Sequence, residues 1–120
     1  MLTLGSAFFR HGHLWFILSD PSDNNGHVLC VNITTLDEFC LDDECLLENR
    51  DYCWIEKGHT SAVAFSKARE WDVAKIEWAI NNGVLSCPHQ GPVPKATVVK
   101  VAKIAKNSKE LSGDFKAFLC

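Results

Sequence analysis

The stretch at residues 13–33 reads HLWFILS, DPSDNNG, HVLCVNI, and its apolar runs and turn formers give the strongest structural signal in the chain. Its first and last segments, at 13–19 and 27–33, are short and rich in bulky or β-branched side chains, which favours strands. A cluster of turn formers at 20–26 separates them, so the stretch predicts a β-hairpin with a longer-than-minimal loop. Both runs are apolar on both faces, which predicts central strands that are covered on both sides.

Shorter strand candidates follow the hairpin. Two lie at 45–48 and 53–57, and a clearer one at 59–66 reads HTSAVAFS. In that segment one alternating set, with His59, Ser61 and Val63, supplies bulk for a core, whereas the other set is small. Several short strands joined by tight turns predict a small, strongly bent antiparallel sheet or barrel.

The hydrophobic period changes after residue 66. A helix is predicted from Ser66 or Lys67 to Asn82, with Gly83 as its stop. A second helix is predicted at 95–106, and Ser108 or Ser112 caps a short last one. The chain is therefore predicted to be a single α+β domain over residues 1–120, β-rich in 1–66 and helical in 67–120, with two or three helices packed on the sheet.

The four tryptophans are predicted to be structural. Trp15 and Trp54 fall in strand candidates and are expected in the core. Trp71 and Trp78 are expected to fill the space between the first helix and the sheet. An exposed tryptophan would instead be free to stack on a nucleic-acid base.

Charge is divided unevenly along the chain, although the net charge is only −3. Seven acidic side chains and the single cation Arg50 lie between Asp37 and Asp51. From residue 93 onward six lysines stand against two acidic residues. A local basic surface matters more than net charge for an anionic ligand, so the lysine face of the 95–106 helix is a candidate for contact with a nucleic-acid backbone.

The opening segment bears on the cellular compartment, and the six cysteines bear on disulfides and metal binding. The start lacks a cationic leader with a long apolar run, and no stretch approaches a membrane span, so a soluble, cytoplasmic protein without a membrane partner is expected. Disulfides are then disfavoured. A zinc site would use Cys40, Cys45 and Cys53 with His59, but the absence of a CxxC pair argues against it. No metal or other cofactor is predicted.

Three segments resemble the PemK/MazF family of toxin ribonucleases. HLWFILS is similar to an early family strand that usually reads like RPVLVIS, with His13 at the arginine and Ser19 at the serine. VLCVNITT at 28–35 is similar to the second family strand, which ends in ITT or ITS. TSAVAFSKAR at 60–69 is similar to the later strand that leads toward the helix. The resemblance spans residues 10–70 and implies an SH3-like barrel.

The resemblance also implies a function. Such toxins are metal-independent endoribonucleases in which the ribose 2′-OH of single-stranded RNA attacks the neighbouring phosphate; an antitoxin protein and a homodimer are the implied partners. The step needs a base, an acid and donors or a cation on the phosphate. The family's Arg and Asp, two residues apart, align with Ala64 and Ser66 here. That departure argues against cleavage by the family mechanism.

Other side chains in the sequence are able to carry this chemistry. His13 and His59 are imidazoles that exchange protons near neutral pH, and with Ser61 they form the predicted catalytic set. The predicted substrate-binding set consists of hydrogen-bond donors and cations: Thr34, Thr35, Ser66, Lys67 and Arg69.

Each of these residues also has an ordinary structural role available to it, such as ending a strand or capping a helix. Beside a weaker third possibility, a zinc-dependent hydrolase with cysteine and histidine ligands, the sequence therefore leaves two main functions open. One is the toxin-like endoribonuclease, and the other is a non-catalytic SH3-like binding module that recognises a protein or a nucleic acid. The strand motifs support the fold that both share, and a fold does not settle a function.

Overall fold

The computed structural model describes residues 1–36 and 42–119. Its strands are β1 (Ala7–Arg10), β2 (His13–Ile17), β3 (His27–Thr35), β4 (Leu46–Leu47), β5 (Ser61–Val63) and β6 (Arg69–Asp72). The α-helices are α1 (Val73–Asn81), α2 (Lys95–Lys106) and α3 (Gly113–Lys116), and short 3-10 turns lie at Asn24–Gly26, Phe65–Lys67 and Ala117–Leu119. The predicted α+β class is confirmed.

Strand β3 organises the sheet. Along one edge it pairs with β2, as the hairpin prediction requires, with Leu14 opposite Ile33. Its other edge is divided: residues 27–30 pair with β6 and residues 33–35 pair with β5. All these pairings are antiparallel, and the order along the main path is β1-β2-β3-β5-β4. Because β1 and β4 end this order without pairing to each other, the sheet is not closed, and the barrel implied by the resemblance is not confirmed.

Three strand predictions need correction. The candidate at 59–66 is limited to β5 (Ser61–Val63) and is followed by the 3-10 turn at Phe65–Lys67. The segment 53–57 forms no strand and lies largely in turns, one of which is closed by the Ile55 N–H donating to the carbonyl of Tyr52 (3.0 Å). The candidate at 45–48 is reduced to the two residues of β4. Strand β1, which the sequence pattern did not indicate, pairs with β2 through a tight turn at His11 and Gly12, both with positive φ.

The predicted start of the first helix at Ser66 or Lys67 is wrong. Residues 69–72 extend the sheet by pairing with β3, and α1 begins only at Val73. Asp72 caps it by accepting a hydrogen bond from the Ala74 N–H (2.9 Å). The second helix matches its predicted bounds, and Ser112 caps α3 as one of the two predicted caps.

The sheet is buried on both faces, as its apolar strands predicted. The larger core lies under α2 and α3 and includes Phe16, Val31 and Val101. The smaller core lies under α1 and includes Phe8, Trp15, Ile17, Val28, Cys30 and Ile76. Each large side chain buried in this way contributes about 1.5–3 kcal/mol to stability.

The tryptophans follow the predictions only in part. Trp15 is in the smaller core, and Trp71, on β6, packs against that core beside α1. Trp54 is half-buried and lies in a turn rather than a strand. Trp78 is 62% exposed on α1 and fills no packing space, so its prediction is wrong. Within residues 1–36 and 42–119, no helix is long and apolar enough to cross a membrane.

Candidate nucleic-acid interface

A pocket of about 210 Å³ opens at one end of the sheet, where β2 begins and β3 ends. We name it the end pocket. Its lining consists of Gly12, His13, Leu14, Ile33, Thr34, Thr35, Trp54 and Ser61. Four of these, His13, Thr34, Thr35 and Ser61, are residues that the sequence put forward for catalysis or substrate binding.

Strand register brings these side chains together. His13 opens β2 directly after the hairpin turn, and Thr35 closes β3. Thr35 lies opposite Ser61 in the β3–β5 pairing, and Thr34 lies opposite Ala62. Since neighbouring residues of a strand point to opposite faces, the pocket takes side chains from both faces at the end of the sheet. The buried pair Leu14 and Ile33 forms its apolar floor.

Trp54 forms the aromatic wall of the end pocket. Its ring centroid lies 6.2 Å from that of Phe9 and 6.5 Å from that of Tyr52. Tyr52 is itself anchored, because its hydroxyl donates to the carbonyl of Gly91 (2.6 Å). Burial raises the pKa of Tyr52 to about 12, so the hydroxyl stays protonated and keeps this bond at neutral pH. The indole is therefore held by its neighbours while part of it faces the pocket.

The polar groups of the end pocket are available to a ligand. The hydroxyls of Thr34, Thr35 and Ser61 make no hydrogen bond to any residue that the structure describes. The side chain of His13 is exposed at the pocket rim. One imidazole, three hydroxyls and one indole ring thus converge on a small cavity that can accommodate polar and flat groups.

His59, the second imidazole of the predicted catalytic set, is not among the residues that line the end pocket. It lies on an exposed turn, where its Nε2 is 3.6 Å from Oε2 of Glu56. The geometry therefore supplies the end pocket with a single imidazole, His13. Within residues 1–36 and 42–119, the lining holds no second imidazole to share the acid and base roles of a histidine pair.

Three residues of the predicted substrate-binding set lie outside the end pocket. Ser66 is engaged by the buried carboxylate of Asp42, to which it donates from both its N–H and its Oγ. Lys67 is exposed in the 3-10 turn before β6. Arg69 lies on β6 opposite Cys30 and donates from Nη1 to the carbonyl of Ala68 (3.2 Å).

Two lining residues were missed by the sequence reasoning. Gly12 turns the chain between β1 and β2 with φ +79°, and β1 itself was not anticipated. Trp54 was expected in a core strand, and its place in a turn depends on how the segment 48–60 folds. The sequence signal that could have identified Trp54 is an aromatic residue within a short segment rich in turn formers.

The cysteines give no metal centre within residues 1–36 and 42–119, where no three His, Cys, Asp or Glu side chains are grouped to hold an ion. Of the zinc alternative, Cys40 lies outside the described residues, Cys45 is buried and Cys53 is exposed. Cys30 is a buried core residue, as predicted. Burial raises the pKa of Cys45 to about 11.

Comparisons with known proteins do not extend this picture. No family model matches the chain, and no curated protein or solved structure gives a match. The resemblance to the PemK/MazF family stays a prediction that rests on the strand motifs.

Proposed function

We propose that this chain is a binding domain for single-stranded RNA, and that the end pocket is its contact site. One observation carries the proposal: the pocket groups an indole ring with an imidazole and three hydroxyls that have no partner in the described part of the chain. Unstacked RNA offers a flat base, a 2′-hydroxyl and a phosphate within one nucleotide, and these are the groups that such a lining recognises.

The expected contributions follow from the chemistry of the side chains. A base stacked on Trp54 gains about 1–3 kcal/mol, without strong preference for its identity. The hydroxyls of Thr34, Thr35 and Ser61 donate to phosphate oxygens or exchange hydrogen bonds with the 2′-OH. The imidazole of His13, exposed at the rim, donates a ring N–H to a phosphate oxygen.

The SH3-like character of the fold is part of this proposal. A small sheet in which one strand, β3, changes partner from β6 to β5 halfway along its edge is bent at that strand. The end pocket lies beside the β5 half of this bend. In this reading the bent sheet presents a concave end to the ligand, as the resemblance implies.

A second function, the toxin-like endoribonuclease, is favoured by one specific feature. His13 stands at the rim of a pocket with three hydroxyl donors, where an imidazole could take the proton of a bound 2′-OH. The structure offers no second imidazole there, so the binding function is the better supported of the two. An antitoxin partner and a homodimer are expected only if the chain is the toxin-like endoribonuclease.

The binding proposal is tested by fluorescence anisotropy with a short, labelled, single-stranded RNA of random sequence. His13→Gln replaces the imidazole ring with a neutral amide and Thr34→Val removes a hydroxyl, and we expect each to weaken binding by about tenfold, which corresponds to ~1.4 kcal/mol. The matched controls are His89→Gln and Thr3→Val, which change exposed residues outside the pocket. Absence of RNA binding by the native chain, or equal losses in variants and controls, would overturn the proposal.

The same samples separate the two functions. Incubation with RNA in the presence of a chelator, followed by end-group analysis, reports metal-independent cleavage. Products with 2′,3′-cyclic phosphate ends that disappear in His13→Gln would establish the endoribonuclease. Retained binding with intact RNA is the result that we expect for the binding domain.

A further inference from the structure

A second pocket, of about 150 Å³, lies on the sheet beside α1. We name it the α1 pocket. Phe8 and Ile76 are buried beneath it, whereas Arg10 and Trp71 are half-buried and Lys75 is exposed. It therefore combines an apolar floor with two cationic side chains, a composition that differs from that of the end pocket.

Arg10 is held in a fixed orientation by an aromatic ring. Its guanidinium carbon lies 5.0 Å from the centroid of Trp71, which is the distance of a cation–π contact. Trp71 is supported in turn by an edge-on contact with Trp15, with centroids 4.8 Å apart. A guanidinium that is positioned before a ligand arrives loses less conformational entropy on binding.

The charged side chains that line the α1 pocket are two cations and one carboxylate. Neither Arg10 nor Lys75 forms an ion pair with any residue in 1–36 or 42–119. The carboxylate of Asp72, which also lines the pocket, already accepts the N–H of Ala74 as the cap of α1. The pocket therefore offers two unpaired positive charges beside one carboxylate that is engaged in the helix cap.

The two pockets adjoin. Arg10 and His13 are directly opposite each other in the β1–β2 pairing, so their side chains leave the same face of the sheet with Cβ atoms ~5 Å apart. Arg10 lines the α1 pocket and His13 lines the end pocket. The next pair on this face, Trp15 and Asn32, carries a buried indole N–H and a buried amide oxygen without a hydrogen-bond partner among the described residues.

We propose that the α1 pocket is a second subsite for the same RNA strand, and that it binds a backbone phosphate through Arg10 and Lys75. This inference rests on the proposed RNA-binding function of the end pocket. The strand would pass from Trp54 across the Arg10–His13 pair to Trp71, so that a phosphate one step along the chain meets the oriented guanidinium. A guanidinium binds phosphate oxygens through two parallel hydrogen bonds, and the lysine adds a point charge.

The test is the salt dependence of RNA binding by the native chain and by Arg10→Gln, Lys75→Gln and Lys103→Gln. The binding constant falls as salt rises, so the slope of log K against log salt is negative. Each phosphate contact that is lost should reduce the magnitude of this slope by ~0.7 for a single strand. We expect that decrease for Arg10→Gln and for Lys75→Gln, together with about fivefold weaker binding at low salt. Lys103→Gln, on the exposed face of α2, should leave the slope unchanged. Circular dichroism checks that each variant is folded. If Arg10→Gln unfolds the chain, the test rests on Lys75→Gln, because Lys75 is exposed and its substitution should not affect folding.

Two negative results are distinguishable. If RNA binds and His13→Gln weakens it, but the slopes of Arg10→Gln and Lys75→Gln equal that of the native chain, then the second subsite is overturned and the end pocket is not. If the native chain does not bind RNA, the proposed function itself fails. A decrease in slope for Lys103→Gln alone would place the phosphate contacts on α2 and would also overturn the inference.

Discussion

Asp42 accepts two hydrogen bonds from Ser66, one from its N–H (3.0 Å) and one from its Oγ (2.6 Å). The carboxylate is buried, and the pair joins the segment before β4 to the 3-10 turn that precedes β6. Ser66 stands at a position where the PemK/MazF resemblance places a catalytic aspartate. In this chain the Ser66 hydroxyl has a structural partner, and the residue does not line the end pocket.

Removal of the Ser66 hydroxyl should destabilise the fold. We expect Ser66→Ala to lower the free energy of unfolding by about 1.5–3 kcal/mol, because a buried carboxylate loses a hydrogen bond. The matched control is Ser22→Ala, since the Ser22 Oγ donates to the exposed carboxylate of Asp20 (2.7 Å), and that change should cost less than about 1 kcal/mol. Urea unfolding measures both, and equal losses would contradict the structural role of Ser66.

Gly5 should tolerate no side chain. Its φ is +85°, and a Cβ there would lie 2.6 Å from the carbonyl oxygen of Val93, whose N–H donates to the Gly5 carbonyl (2.8 Å). Gly58 has the same φ of +85° with nothing within 4 Å of a Cβ. We expect Gly58→Ala to cost about 1–2 kcal/mol from backbone strain alone, and Gly5→Ala to cost at least ~2 kcal/mol more. Thermal and urea unfolding measure the loss of unfolding free energy in both variants. Similar losses for Gly5→Ala and Gly58→Ala would show that Gly5 does not lie close to the Val93 carbonyl.

The contact between Glu44 and the residues that follow α2 should make stability depend on pH. Hydrogen bonds from the Ser108 hydroxyl and from the Lys109 N–H hold the pKa of Glu44 below its usual value. Because the folded pKa is lowered, this stabilisation is present above the ordinary carboxyl pKa and is lost as the pH falls through the folded value.

The variant Glu44→Gln isolates this effect. Between about pH 5 and about pH 3 the native chain should lose more unfolding free energy than Glu44→Gln does. The control Glu110→Gln changes a nearby exposed carboxylate and should follow the native chain. Urea midpoints at each pH provide the measurement, and parallel curves for the native chain and Glu44→Gln would refute the assignment.

The thiols should react in two classes. Cys53 and Cys87 are exposed, whereas Cys30 and Cys45 are buried, and burial raises the pKa of both buried thiols. In a Cys40→Ser/Cys120→Ser background, we expect Cys53 and Cys87 to react rapidly with a thiol reagent at mildly alkaline pH. The two buried thiols should react only after denaturation. Rapid reaction of Cys30 in the folded chain would contradict the packing of the smaller core.

The parts of the fold that the sequence predicted are those governed by local pattern. The hairpin around residues 20–26, the bounds of α2 and the cap at Ser112 follow from periodicity and turn chemistry. The parts that were missed depend on long-range pairing. Residues 69–72 carry no strong strand signal and become β6 because β3 offers them an edge. Trp78 fits the apolar stripe of a helix, yet its side chain is exposed.

The candidate site was predicted in part for the same reason. Hairpin register places His13 near Thr34 and Thr35, and that register can be anticipated from two adjacent apolar runs. Trp54 lines the end pocket because of how a turn folds, and Arg10 lines the α1 pocket because it lies on β1. The sequence pattern did not predict that strand. His59 does not line the end pocket with His13. The spacing of the two residues along the sequence could not predict this, because it depends on the tertiary fold.

Photocrosslinking of the native chain to a single-stranded RNA with photoreactive bases, followed by mass spectrometric mapping, locates the RNA on the protein. A base stacked on Trp54 should crosslink to the segment that contains this residue, and Trp54→Leu should remove that crosslink while leaving the fold intact. Crosslinks at Trp54, with neighbours at residues 12–14 or 34–35, are the result that this account predicts. Crosslinks confined to the lysine face of α2, or none at all, would contradict it.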